Sequence, residues 1–254
     1  MLAFPPLVVL AAVLSVSAAT AGPSSTVAPA ASADIDVSLA IAPGTPQPVV
    51  AGIRFRMDLG MGNAGPDAAS ARLLVDLPEN LAAVTANPLG CPTGTGTLDC
   101  GRQELVAVDT TDAFFSLVAR VPGTYTIVAR ATDFAIADPN AANNSVSVTF
   151  IARSPNPVVT DFARSPARPR AGAPVKVSFE VIDGVTKAGL TPSAVRCVAS
   201  AAGAKVKGRG SVRAGSAACR FLPPKSAKGS TLRGKISAAA AGKRLARAFA
   251  IRLR

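Results

Sequence analysis

Short runs of alternating apolar residues, each cut off by proline, glycine or asparagine, constrain this chain more than any other feature. Ile35, Val37, Leu39 and Ile41 alternate with polar or small neighbours until Pro43, Gly44, Pro46 and Pro48 stop the run. Ile53, Phe55, Met57, Leu59 and Met61 alternate again, opposite Arg54, Arg56 and Asp58. Asn63-Ala64-Gly65-Pro66-Asp67 then reads as a turn in which Asn63 and Gly65 are free to take positive φ. Ala71, Leu73, Val75 and Leu77 follow on one face, with Arg72, Leu74 and Asp76 on the other, and Pro78 ends the strand because it has no N–H to give a ladder. A period of two is the signature of a half-buried strand, and no segment shows a convincing period of 3.6. Sheets that each bury one face must pack against one another, which predicts an antiparallel sandwich of immunoglobulin-like type.

The remaining chain repeats this grammar. Leu81–Thr85, Leu105–Val108, Ala113–Arg120, Tyr125–Ala131 and Val146–Phe150 read as further strands, with Gly90–Gly101 as a cysteine-closed loop. Ser154-Pro155-Asn156-Pro157 reads as a stiff linker. Beyond it, Val158–Phe162, Val175–Val181, Val195–Ala199, Leu232–Ala238 and Phe249–Leu253 read as strands, Asp183-Gly184 as a turn and Gly208-Arg209-Gly210-Ser211 as a basic turn. The expected fold is all-β, two immunoglobulin-like β-sandwich domains in tandem. The expected boundaries are a signal peptide at 1–21, a flexible lead-in at 22–33, a first sandwich at 34–152, a linker at 153–157 and a second sandwich at 158–254.

Charge divides the chain at the same place. Residues 1–33 carry no charged side chain, residues 34–152 carry 6 Arg and 12 Asp+Glu, and residues 153–254 carry 21 Lys+Arg and 3 Asp+Glu. The net +12 is therefore −6 in the first half and +18 in the second, and the first lysine is Lys176. A shift this abrupt argues for two domains.

Leu7–Val16 is an apolar run and Ala19-Thr20-Ala21 an A-x-A cleavage site before Gly22, so an export signal is expected, with no membrane span left after cleavage; the competing reading is an uncleaved anchor, since the uncharged run from Met1 to Ala21 is just long enough to span a bilayer. The chain is expected to be secreted, extracellular or associated with the cell wall. Four cysteines in an exported chain suggest two disulfides. Three pairings are open; two cysteines fall in each proposed domain, and Cys91–Cys100 with Cys197–Cys219 is the economical choice. By chain entropy these loops would contribute roughly 2.5–3 and about 3.5 kcal/mol. Zinc is disfavoured, because there is no C-x-x-C and no His.

Asn63-x-Gly65-Pro66-Asp67-x-Ala69, Val75-Asp76, Leu77-Pro78 and Leu81 resemble the centre of a conserved repeat domain of unknown function in bacterial surface proteins, and bacterial cell-adhesion-related repeats are similar. The Cys91/Cys100 loop, the Pro122-Gly123-x-Tyr125 turn and the Asp138-Pro139-Asn140-x-x-Asn143-Asn144 end resemble its other landmarks in order. The resemblance covers Ile35–Ile151 and implies an extracellular or wall-associated sandwich used as a spacer or adhesion module, with no catalytic residues. The second half is similar, more weakly, to C-terminal Ig-like modules of exported proteins from high-GC Gram-positive bacteria, through Cys197 and Cys219 and the run from Leu222-Pro223 to Leu232-Arg233-Gly234.

Without histidine, neither a Ser-His nor a Cys-His pair can exist. No Gly-Lys-Ser/Thr phosphate loop occurs, and the acids of the first half fall in turns or at outward strand positions. No enzyme activity and no cofactor are expected. Asp138, Asn140 and Asn143 place hard oxygens close together and form a calcium candidate, against the simpler reading as Asx turns. The basic half is a candidate binder of anionic wall polymers or glycans through Arg168, Arg170, Lys205, Lys207, Arg209, Lys225, Lys228, Lys243 and Arg244, against the simpler reading as solubilising charge. Specific nucleic-acid reading lacks a recognition helix, and base stacking lacks aromatics. The leading expectation is a non-catalytic exported envelope protein, a structural spacer or adhesion module, whose partner is an anionic envelope polymer or another surface protein.

Overall fold

Alternation becomes pairing in two stacks of sheets. The computed structural model describes residues 31–85 and 87–254; the expected signal segment and residues 22–30 of the lead-in lie outside the described residues. Among the described residues no helix is long and apolar enough to cross a membrane.

The first stack is built from β1 (Ile35–Ile41), β2 (Val49–Val50), β3 (Arg54–Asn63), β4 (Ala69–Asp76), β5 (Leu81–Ala83), β6 (Thr97–Leu105), β7 (Asp109–Ala119), β8 (Gly123–Thr132) and β9 (Ser145–Arg153). One sheet runs β1-β3-β7-β5 and the other β2-β9-β8-β4-β6. In immunoglobulin terms these are A-B-E-D against A′-G-F-C-C′. The order along the chain departs from that scheme, since β5 pairs with β7 before β6 returns to pair with β4. Ile35, Met57, Leu73, Val75, Leu81, Phe115, Leu117 and Ile127 interdigitate between the sheets in one buried cluster. Phe150 stands edge-on to Phe55 and stacks on Tyr125.

Tyr125 confirms the strand assignment. Its hydroxyl donates 2.6 Å to the Val121 carbonyl four residues upstream, at the turn into β8. This is the tyrosine corner expected at the start of strand F. The landmark Pro122-Gly123-x-Tyr125 is thus the device that ties the E–F turn to the F strand.

The stretch around Asn63 differs from its sequence reading. Neither Asn63 nor Gly65 has positive φ; among the turn residues nearby, Asn80 does, at 64°. Asn63 is buried at the end of β3, where its Oδ1 accepts from the N–H of Asp34 (3.2 Å) and Gly65 (3.0 Å) and its Nδ2 donates to the carbonyls of Asp67 (2.8 Å) and Val106 (3.3 Å). Gly65 is required by close approach instead, because a Cβ there would stand 2.5 Å from the Asp34 nitrogen and 2.7 Å from Ala33 backbone atoms. The turn therefore anchors the chain entering β1.

The second stack comprises β10 (Pro157–Ser165), β11 (Val175–Asp183), β12 (Ala194–Ala201), β13 (Ala204–Val206), β14 (Gly208–Arg213), β15 (Ser216–Phe221), β16 (Thr231–Ala240) and β17 (Lys243–Arg252), with a short 3-10 turn at Lys225–Ala227. Its sheets run β10-β11-β15-β14 and β13-β12-β16-β17, the A-B-E-D and C′-C-F-G order of an immunoglobulin sandwich. Val175, Val177, Phe179, Phe221, Leu232, Ile236 and Ile251 fill the space between them. Two tight hairpins have both central residues at positive φ, Ala202-Gly203 before β13 and Ala241-Gly242 before β17, as a type I′ turn requires.

Gly208–Ser211, read as a basic turn, is edge strand β14. Its glycines hide the strand signal, and packing explains them: a Cβ on Gly208 would meet the Phe221 ring at 2.5 Å and Cys197 Cβ at 2.7 Å. Likewise β6 occupies Thr97–Leu105, so most of it falls inside or beside the expected loop Gly90–Gly101 and ahead of the expected strand at Leu105–Val108. Only Leu98, Cys100 and Leu105 of that strand are buried, too few apolar positions for alternation to register.

Candidate functional site

Both expected disulfides are formed, Cys91–Cys100 and Cys197–Cys219. The first closes the crossing from β5 to β6. The second joins β12 to β15, and so bridges the two sheets of the second stack. It links strands C and E, where antibody domains link B and F. No free cysteine remains.

The calcium candidates are engaged in local hydrogen bonds. Asp138 accepts the N–H of Ile35 at 3.0 Å and of Asn140 at 2.9 Å, an Asx turn. Asn140 and Asn143 turn their amide Nδ2 toward Asp34 Oδ1, at 3.3 and 2.7 Å. Donors face the carboxylate, which is the arrangement of a hairpin tie. The Oδ1 atoms of Asn143 and Asn144 are buried without a protein partner.

At the junction between the stacks, sequence reading missed the principal feature. Asp183, read as an ordinary turn residue, is fully buried at the end of β11. Arg153, the last residue of β9, grips it with Nη1 at 3.0 Å and Nη2 at 2.5 Å. The backbone N–H of Asn156 (2.7 Å), Val185 (3.2 Å) and Thr186 (2.9 Å) and the Thr186 hydroxyl (3.0 Å) also donate to it. The Arg153 hydrogen bond, backed by the Thr186 and Asn156 donors, outweighs desolvation and holds the Asp183 carboxyl far below the ordinary carboxylate range. Asn156 returns the contact by accepting from Gly184 N–H at 2.8 Å and from Lys243 Nζ at 3.3 Å. Ile53 of the first half packs against the apolar cluster of the second. A faint signal existed, since Asp183 is one of only three acids after residue 152 and begins an Asp-x-x-Thr capping pattern.

The nine basic candidates do not converge. Arg168 and Arg170 lie in the loop after β10, and Lys225 and Lys228 lie in and just beyond the 3-10 turn. Lys207 and Arg209 belong to the β13–β14 connection and β14, and Lys243 is at the junction. Only Lys205 and Arg244 stand on the outward face of the sheet β13-β12-β16-β17, which also carries Arg196, Arg233, Lys235 and Arg252. Those four were legible from the alternation of β16 and its partners, but sequence reading followed turns and passed over outward strand positions.

The two halves treat cations differently. In the first, three of the six arginines are ion-paired: Arg130 with Asp76, Arg56 with Asp58, and Arg72 with Asp99 and Asp133. The Arg72 hydrogen bond, with the Gly101 N–H, lowers the Asp99 carboxyl to about 2. In the second, Arg153–Asp183 is the one ion pair among the described residues.

No family model matches the chain, and no curated protein does, so the surface-repeat resemblance rests on its motifs alone. Among solved structures, the Yersinia pseudotuberculosis adhesin InvE aligns with 85% of this chain and 58% of its own, at 11% identity and a TM-score of 0.30. Domains 4 and 5 of the S-layer protein SbsC align with 87% of this chain and 98% of their own, at 10% identity and a TM-score of 0.35. The Escherichia coli adhesin FdeC aligns with 86% of this chain and 64% of its own, at 16% identity and a TM-score of 0.29. Likeness at this level does not bear on activity; the all-β, immunoglobulin-like architecture stands on the strand order and on the tyrosine corner.

Proposed function

We propose that this chain is a non-catalytic, exported module of the cell envelope that acts as a stiff spacer or adhesion element. The observation that carries the reading is the Arg153–Asp183 clamp, in which the last strand of one sandwich is bonded to a buried carboxylate of the next. Linkers between domains that move freely are short of such contacts, and relative motion is otherwise the default. The two disulfides suit an oxidising compartment, and the absence of histidine removes the commonest nucleophile partners. Small-angle scattering of the full chain and of Arg153→Ala tests the proposal. The wild type should fit one fixed arrangement of the sandwiches and the variant should need an ensemble. A wild-type curve that itself demands an ensemble would refute stiffness, and a reproducible hydrolytic or transfer activity abolished by a point substitution would refute the non-catalytic assignment.

A further inference from the structure

On the outward face of the sheet β13-β12-β16-β17 no cation has an ion-pair partner among the described residues. Residues 184–254, which include all four of its strands, contain no Asp or Glu. Registers define five consecutive outward rows, set by Ala239, Ser237, Lys235, Arg233 and Thr231 of β16. Arg244 lies opposite Ala239, Arg196 opposite Ser237, and Arg252 opposite Thr231, while Lys235 and Arg233 supply the two rows between. Every row therefore holds a cation, and Lys205, paired with Ser200 beside Arg233, adds one more. All six side chains are exposed.

Edge protection does not account for this pattern. Lysine and arginine commonly guard edge strands, but Arg196, Arg233 and Lys235 sit on β12 and β16, the two central strands. Opposite charges across central strands stabilise a sheet and like charges destabilise it. The first sandwich sets carboxylates beside two of its cross-strand arginines, Arg130 with Asp76 and Arg72 with Asp99, although Arg72 also faces Arg102; no acid stands on the strands of this face. Between the cations the floor is Ala194, Ser200, Ser237, Ala246, Ala248 and Ala250, with one larger apolar side chain, Val198, beside Lys235. Such a floor lets an extended polymer lie flat, and it offers no aromatic ring to a base or sugar.

Spacing selects the ligand. Successive outward rows are about 7 Å apart, two residues of strand rise. An extended chain advances roughly 1.1–1.2 Å per backbone bond, so charges recurring at this interval are separated by about six bonds. A phosphodiester polymer with a three-carbon bridge between phosphates has that repeat, and the fork of arginine matches phosphate oxygens; single-stranded nucleic acid shares the repeat, and the floor without aromatic rings tells against it. We infer that the sheet face centred on Arg196, Lys235 and Arg233 binds a linear polyol-phosphate chain along its length, one phosphate to a row.

The experiment uses the full chain and synthetic poly(glycerol phosphate) of about ten repeats, with binding measured against salt. Five contacts give a slope of log K on log salt near −3.5, at about 0.7 counterions per contact. The variant Arg196→Thr/Arg233→Thr/Lys235→Thr empties two rows, since Lys205 still serves the third, and should lower the slope to about −2.1 and weaken binding about 14-fold at 0.15 M salt. An equally charged control, Arg168→Ser/Arg170→Ser/Lys225→Ser, should lose less than about 5-fold, and the single change Lys235→Gln should lose about 4-fold without burdening the fold. Equal losses in the two triple variants would overturn the inference, since the net field and not this face would then be responsible. Tighter binding of oligothymidylate, or equal binding of polyglutamate of the same charge, would overturn the polyol-phosphate assignment. Self-association abolished by the face variant would assign the surface to a second copy and overturn it too.

Discussion

Asp183 allows the sharpest test of how the two sandwiches hold together. Replacing it by Ala removes the acceptor for two Arg153 nitrogens, three backbone N–H groups and the Thr186 hydroxyl. Breaking a buried ion pair from one side costs about 3–5 kcal/mol, because the surviving groups keep their desolvation cost and lose their partner. That is a large part of the 5–15 kcal/mol typical of a domain. Arg153→Ala should cost somewhat less, since the carboxylate keeps its Asn156, Val185 and Thr186 donors. The double variant should be far less destabilised than the sum of the two. Urea unfolding at pH 7 yields the coupling energy directly. The pH dependence has a definite sign. The folded carboxyl titrates well below its unfolded value of about 3.9, so its contribution is complete above about pH 5 and is lost as pH falls toward the folded value. The advantage of wild type over Asp183→Asn should therefore be constant from pH 7 to about 5 and shrink below about 4, by at most about 1.4 kcal/mol per pH unit for one proton. Additive single-variant costs below about 1 kcal/mol each, with no pH-dependent difference, would refute the clamp.

Tyr125→Phe deletes only the corner hydrogen bond to Val121 and should cost about 0.5–1.5 kcal/mol in urea unfolding, with the sandwich otherwise intact. Asn63→Ala leaves two N–H groups and two carbonyls at the entry to β1 without their partner; a loss of about 2–4 kcal/mol is expected by the same measurement, and Asn63→Asp should not rescue it because the two carbonyls still lack a donor. Carbon-detected NMR titration should place the Asp99 carboxyl at about 2, and Arg72→Ala should return it toward the ordinary carboxylate range.

Where alternation was strong, the sequence was legible. Ile35–Ile41, Val175–Val181 and Leu232–Ala238 announced β1, β11 and β16 because each alternate apolar residue lands in a core. The cysteine pairs were legible because two fell in each half. β14 was not, since its glycines make room for Phe221 and Cys197 (Gly208) and for Val195 (Gly210) instead of contributing apolar side chains. Gly65 was recognised as important for the wrong physical reason, because crowding by Ala33 and Asp34 comes from residues some thirty positions upstream. The clamp escaped for the same cause: Arg153 and Asp183 become partners only when the end of β9 meets the end of β11. The cationic face lay in plain view at the outward positions of β12, β16 and β17, yet only strand register turns scattered residues into consecutive rows.

The two disulfides also set how the chain answers a pull on its ends. Once the sheets have parted, each residue adds at most about 3.3–3.6 Å of contour. Cys197–Cys219 withholds 22 residue steps from extension and Cys91–Cys100 withholds 9, roughly 75 and 30 Å respectively. An oxidised chain stretched between two tethers would halt about 100 Å short of its reduced length. The cysteine-closed segments thus act as a mechanical stop, keeping the residues between Cys197 and Cys219, most of β14 and β15 included, from being drawn out as a thread.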